Sequence, residues 1–369
     1  MNKLAKAGVA ALAGALLFSA CGAPPGQETV TETVVTENGG TTVVADGNFI
    51  PCIVSDAGGF NDRSFNQSAF EGVQAAAQQL GIGNFPNVQS TDLTQFAPNL
   101  EALVGQNCTL IVATGFQFND AVQESATSHP AVHYLLVDSE LDSPLENVKP
   151  VIFDTAQAAF LAGYVAAAYS ARPGGANHVG TFGGMAFPTV TDFMDGFYQG
   201  VEYYNQQNNA NVQVTGWDGT DGSFTGGFEA NQTALSMAQG IINQGVDVIL
   251  PVGGPIYQSA VAAIADSGRE VALIGVDQDV FYTDESTQDI ILTSILKNIN
   301  VTVKESIVDA ADGTWDNTPY VGTLANDGVG LAPFHNFDSE VSQEVRDQIA
   351  RLTQDIIDGN VVVHSSFTN

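Results

Sequence analysis

Short apolar runs alternate with helix-patterned stretches along most of this chain, and they do so in two successive series. The first series is Ile50 to Asp56, Val88 to Thr91, Leu110 to Thr114, Val132 to Asp138 and Val148 to Asp154. The second is His178 to Phe182, Val212 to Trp217, Asp247 to Val252 and Val271 to Asp277. Strand following helix following strand predicts parallel sheets covered by helices on both faces, and two series predict two such sheets. The 369 residues exceed what one hydrophobic core usually supports, and 44% apolar composition is enough to fill two. The predicted fold class is therefore α/β with two lobes, each a mainly parallel sheet flanked by helices. Between the strands, "SFNQSAFEGVQAAAQQLG" has a helical apolar stripe at Phe65, Ala69, Val73, Ala76 and Leu80. Ser64 with Gln67 reads as its capping box and Gly81 as its stop.

Ligands in such folds sit outside the carboxyl ends of the strands. Those ends read Asp56-Ala57-Gly58-Gly59, Thr114-Gly115-Phe116, Val137-Asp138-Ser139, Thr181-Phe182-Gly183-Gly184, Pro251-Val252-Gly253-Gly254 and Gly275-Val276-Asp277. Glycines let backbone amides approach a ligand, and aspartates accept hydrogen bonds from hydroxyls or amines. Two sheets presenting such ends to each other would make a cleft.

The first 20 residues carry Lys3 and Lys6, an apolar stretch from Ala7 to Leu17, and small residues before Cys21. This reads as an export signal, too short to cross a bilayer. Leu17-Phe18-Ser19-Ala20-Cys21 looks like a lipobox with Phe18 where Leu is usual, which makes Cys21 the expected lipidation site. Cleavage without lipidation is the alternative. Residues 21–47, rich in Thr, Val, Gly and Glu, read as a flexible tether. The expected location is the outer face of the cell membrane.

Ten Lys and Arg stand against 41 Asp and Glu. Such a surface repels nucleic acid and anionic headgroups, so neither is an expected partner. Cys52 and Cys108 open two apolar runs. If these runs are neighbouring parallel strands, a disulfide is geometrically possible, with two buried free thiols as the alternative. The five histidines form no ligand pair, and no metal or cofactor is expected. There is no G-x-S-x-G elbow, no Walker loop and no complete dinucleotide-binding glycine motif, so an enzyme is not expected.

"DAGGFNDRSFNQSAFEGVQ" closely resembles the first motif of the basic membrane lipoprotein family, the purine nucleoside receptor type of ABC-transporter substrate-binding lipoprotein. The resemblance continues, in order, through "VIFDTAQAAFLAGYVAA", "VGTFGGMAFPTVTDFMDGFYQGV", "GSFTGGFEANQTAL", "GVDVILPVGG", "IGVDQD" and "ILTSILKNI". It implies the two-lobed type I periplasmic-binding-protein fold, with three crossovers at the hinge. The implied N-terminal lobe is 48–154 plus 277–313, and the C-terminal lobe 155–276 plus 314–369. The implied function is capture of a purine nucleoside (guanosine, adenosine or inosine) by a monomer, and delivery to an ABC permease.

Phe70, displaced from the helix stripe with Asn66 on the same flank, would stack on one face of the base, and Phe224 of the "GSF" motif on the other. Asn61 would offer donor and acceptor to the base edge, with Asn66 bracing or joining it. Asp138 would contact the base, and Gly253 would bring its backbone close. Asp277 with Lys297 would hold the ribose hydroxyls. "GSFTGGF" lacks the family's usual acidic residue, and Pro255 and Tyr257 in "VGGPIYQ" replace a longer glycine-rich run. A binding protein for a sugar or another small polar metabolite is the alternative ligand reading. A surface lipoprotein acting as sensor or adhesin is the alternative of another class.

Overall fold

The computed structural model describes residues 32–35, 41–44 and 49–365. The expected signal, Cys21 and most of the expected tether lie outside the described residues. Within 21–47, strands β1 (Glu32–Val35) and β2 (Thr41–Val44) pair antiparallel, with Glu32 opposite Val44. That hairpin lies within the stretch expected as a flexible tether; Thr and Val at seven of its eight strand positions favour extended backbone.

The chain then runs through β3 (Pro51–Ser55), α1 (Phe65–Gln79), β4 (Asn87–Gln89), α2 (Phe96–Val104), β5 (Leu110–Thr114), α3 (Asn119–Ser128), β6 (His133–Val137) and β7 (Val148–Phe153). Next come α4 (Thr155–Ser170), β8 (His178–Gly183), α5 (Pro188–Asn208), β9 (Gln213–Thr215), α6 (Gln232–Ile242), β10 (Val248–Val252), α7 (Tyr257–Ser267) and β11 (Ala272–Asp277). It finishes with α8 (Val280–Thr283), β12 (Ile291–Lys297), α9 (Ile299–Ala311), β13 (Tyr320–Gly322), β14 (Val329–Leu331) and α10 (Gln343–Ile357).

Two six-stranded sheets result, ordered β13-β7-β6-β5-β3-β4 and β14-β12-β11-β10-β8-β9. The first is parallel throughout, and the second is parallel except for β14, which runs antiparallel to β12. In each sheet the first strand of its series has the second on one side and the third on the other. The order therefore reverses at that strand, which is where doubly wound folds place ligands. The first sheet is covered by α2 and α3 on one face and by α1 and α9 on the other; the second, by α6 and α7 and by α4 and α5. Helix α4 is buried on nearly all sides, which explains why its sequence is apolar around its whole circumference.

The lobe boundaries need correction. The chain leaves the first sheet after Phe153, as expected, but it stays in the second sheet through β12 and returns only after Lys297, not at Asp277. The reason is the run Ile291–Lys297, almost wholly buried, which pairs beside β11. Helix α9 then packs on α1, β13 joins the first sheet, and β14 re-enters the second. Residues 320–322 thus belong with the first sheet and not with the C-terminal lobe.

The expected capping box at α1 is also corrected. Ser64 makes no side-chain cap. Asp62 does this instead, its Oδ2 accepting from the Asn66 amide at 2.9 Å and its Oδ1 from Gln67 at 3.0 Å. At the far end Gly81 adopts φ +71 and donates to Gln78, a left-handed stop that only glycine makes without strain.

Candidate functional site

The carboxyl ends of the strands meet in a cleft of about 620 Å³ of space free of protein atoms, part of it open to solvent. From the first sheet come Asp56 after β3, Gly115 and Phe116 after β5, and Asp138 after β6. From the second come Val252 to Pro255 at β10, Val276 and Asp277 at β11, and Lys297 at β12. Asp62, Phe65 and Asn66 enter from the start of α1, and Phe187, Val190 and Phe193 from the start of α5.

Four carboxylates face this space, Asp56, Asp62, Asp138 and Asp277, against one cation, Lys297. Asp62, Asp138, Asp277 and Lys297 are buried and Asp56 is partly buried. Burial pushes the Asp56 and Asp277 carboxyls up to about 6 and raises Asp62 and Asp138 as well. Lys297 lies 2.5 Å from Asp138 and sits among the rings of Phe65, Phe153 and Phe193 at 5.2 to 5.6 Å. Its charge partly offsets the burial of both Asp138 and Asp277. Asp56 accepts from Gly58 N at 3.0 Å and from Asn66 Nδ2 at 2.7 Å. Asn66 Nδ2 also reaches Asp62 at 3.2 Å, so two carboxylates fix the amide's orientation and leave its Oδ1 buried with no protein partner.

Backbone geometry brings these groups together. Asp138 and Asp277, each at its strand end, share a left-handed backbone at φ +66 and +68, a conformation rare outside glycine and found where a site holds it. Gly115 has φ +128, and a Cβ there would lie 2.7 Å from Asp56 Oδ2. Only glycine lets that carboxylate sit against the β5 turn.

Of the residues expected from the sequence, Asn66, Asp138, Gly253, Asp277 and Lys297 line the cleft, and Asn61, Phe70 and Phe224 do not. Asn61 is exposed, because its neighbour Asp62 turns inward to cap α1. Phe70 packs against Phe60 at 4.8 Å and Phe85 at 5.4 Å. It lies five residues, about 7.5 Å, further along the helix than Phe65, and only the first turn reaches the strand ends. Phe224 stands edge-on to Trp217 at 6.4 Å, whereas Phe228, four positions on, reaches the cleft. Pro255 lines the cleft; Tyr257 is buried behind it and donates to Asp284 at 2.8 Å. Asp56 and Phe116 went unassigned although both stand at strand ends, the signal that should have found them.

Cys52 and Cys108 form a disulfide between neighbouring parallel strands, Cα to Cα 5.9 Å. Among the described residues no group of three His, Cys, Asp or Glu side chains is placed to hold a metal ion, and no helix is long and apolar enough to cross a membrane.

Two doubly wound sheets with a polar, aromatic-walled cleft between their strand ends define a two-lobed binding protein of the type I periplasmic kind. The sequence matches the family model for PnrA-like ABC transporter substrate-binding proteins over residues 50–366. The chain belongs to that family; it is a substrate-binding protein, not an enzyme. It is 29% identical over 329 residues to the ABC transporter nucleoside-binding protein BmpA of Lactococcus lactis, covering 85% of this chain and 88% of the other. It is 27% identical over 297 residues to an uncharacterized lipoprotein of Pyrococcus abyssi, covering 79% and 71%. A solute-binding protein of an Aeropyrum pernix ABC transporter superposes with a TM-score of 0.76 at 25% identity, covering 85% and 94%. The family implies a small-molecule ligand and a membrane permease as partner.

Proposed function

We propose that this chain captures a purine nucleoside between its lobes and delivers it to an ABC permease, held at the outer membrane face by a lipid on Cys21. The observation that carries this reading is the composition of the cleft wall: four carboxylates, three of them buried, and one buried lysine among the rings of Phe65, Phe116, Phe187, Phe193 and Phe228. A ligand matching it presents flat apolar faces and several N–H and O–H donors, and carries no negative charge. A nucleoside has all three. Its base lies along the phenylalanines, its amino or imino donors meet Asp56 or Asp138, and its vicinal hydroxyls meet Asp277 beside Lys297. A nucleoside-binding relative and a relative described as a lipoprotein support the ligand class and the anchor.

The test is calorimetry on the full chain against guanosine, adenosine, inosine, free bases, sugars and amino acids. Micromolar or tighter binding confined to purine nucleosides is expected. Binding of sugars alone would discard the nucleoside and keep the receptor. For the anchor, Cys21→Ala should release the protein from the membrane fraction; retention would remove the lipid from the account.

A further inference from the structure

Besides the crossover segments, the Lys297–Asp138 pair and the Phe116–Phe187 ring contact, a two-residue stretch ties the first sheet to the second. Arg63 and Ser64 lie in the turn between β3 and α1, and both reach the segment from β11 to the turn beyond α8. The Arg63 guanidinium meets Asp284 Oδ2 at 2.6 Å, the oxygen that also accepts from Tyr257 at 2.8 Å. The Arg63 carbonyl accepts from Thr283 Oγ1 at 3.2 Å, and the Ser64 carbonyl accepts from Gln278 Nε2 at 3.0 Å. Arg63 holds φ +57, a left-handed turn that directs its own carbonyl and the Ser64 side chain across the gap. Ser64 Oγ lies 2.5 Å from Asp277 Oδ2, a carboxylate of the opposite lobe that faces the cleft.

We propose that Arg63-Ser64 is a clasp that forms when the lobes close, and that Ser64 is a positioning residue which orients Asp277 toward the ligand only in the closed form. Ser64 is freed for this task because Asp62 has taken over the capping of α1. The hydroxyl donates to Oδ2 and leaves Oδ1 for the bound molecule. Arg63, half exposed, supplies an ion pair to a nearly buried partner and so resists reopening. Opening breaks the clasp and releases Asp277 together, so ligand escape is slowed while ligand entry to the open form is not.

The ligand arm of the test rests on the nucleoside reading; the scattering arm does not. In stopped-flow measurements with guanosine on the full chain, Ser64→Ala and Arg63→Ala should each raise the dissociation rate about tenfold, which is about 1.4 kcal/mol, with the association rate within about twofold. Ser64→Thr, which keeps the hydroxyl, should restore slow dissociation. The clasp holds up to about half of the ligand-free population closed, which keeps the association rate within that twofold range, so in small-angle X-ray scattering of the ligand-free chain the Arg63→Ala, Ser64→Ala double variant should have a larger radius of gyration than the parent. Unchanged dissociation rates in both single variants, or a threonine variant as fast as alanine, would overturn the positioning role. If the chain bound no nucleoside, an unchanged radius would still overturn the clasp and a larger one would uphold it.

Discussion

Lys297 Nζ and Asp138 Oδ2 lie 2.5 Å apart, joining the end of β12 in the second sheet to the residue after β6 in the first. Both side chains are almost wholly out of water, so each depends on the other for compensation. Removing the lysine alone leaves Asp138 near Asp277 with no cation in the cleft. Lys297→Met is therefore expected to lose about 3 kcal/mol of stability in urea unfolding, in the range for breaking a buried pair. Lys297→Met with Asp138→Asn should recover part of that loss. A double variant less stable than the single one would show that the pair is not the source.

The cleft carboxylates give the empty protein an unusual acid-side stability. Burial places the Asp56 and Asp277 carboxyls at about 6 in the folded chain, above the ordinary carboxylate range. Between about pH 4 and pH 6 the folded state holds protons that the unfolded state has released, so the contribution of these groups falls as pH rises through that window. Asp92, Asp218 and Asp316, held below the usual range chiefly by hydrogen bonds from Thr94, Asp221 and Thr318, give the opposite slope only at lower pH. Burial holds the His133 and His178 imidazoles below their ordinary range, which gives the opposite slope near neutral pH, so the carboxylate contribution is read as a difference: Asp56→Asn should gain stability relative to the parent as pH rises from about 5 to about 7. Parallel profiles for the two proteins would contradict the assignment.

Charge in the cleft also sets a specificity. A 5′-phosphate would bring about two negative charges to a wall of four carboxylates balanced by one lysine. Nucleoside 5′-monophosphates are expected to bind at least about a hundredfold more weakly than the nucleosides, with the gap narrowing at high salt. Calorimetry with guanosine and its monophosphate at two ionic strengths decides this. Equal affinities would mean that the carboxylates do not face the sugar end of the ligand.

The sequence made legible what depends on strand and turn chemistry. The apolar runs give the parallel order, and the strand-end rule reaches Asp138, Gly253 and Asp277 directly. What stayed hidden depends on three-dimensional phase. The first turn of α1 presents Phe65 to the cleft because of how the helix enters from the Asp62 turn, and a stripe of apolar positions does not fix that angle. Strands β13 and β14 are three residues each, too short for a periodicity to register. Between β11 and β12 lie residues 278–290, which hold the four-residue α8 and a 3-10 turn but no full helix, so the alternation of strand and helix that marks the other strands breaks there.

The disulfide separates stability from binding. Cys52 and Cys108 sit at the amino ends of β3 and β5, and Asp56 and Gly115 follow the carboxyl ends of the same strands. At about 3.3 Å per residue, the bridge is about 13 Å from the cleft. Its two cysteines are 56 residues apart in sequence, and closing a loop of that size in the unfolded chain is worth about 4 kcal/mol in the chain-entropy account. Replacing both cysteines with alanine should lower unfolding free energy by roughly that amount while nucleoside affinity stays within about twofold. The binding result is the sharper arm, because the strands are fixed by their ladders along the whole length between bridge and site. A loss of affinity in a variant that remains folded would mean that strain at the amino ends reaches Asp56, and that the first sheet is not the rigid support its buried strands indicate.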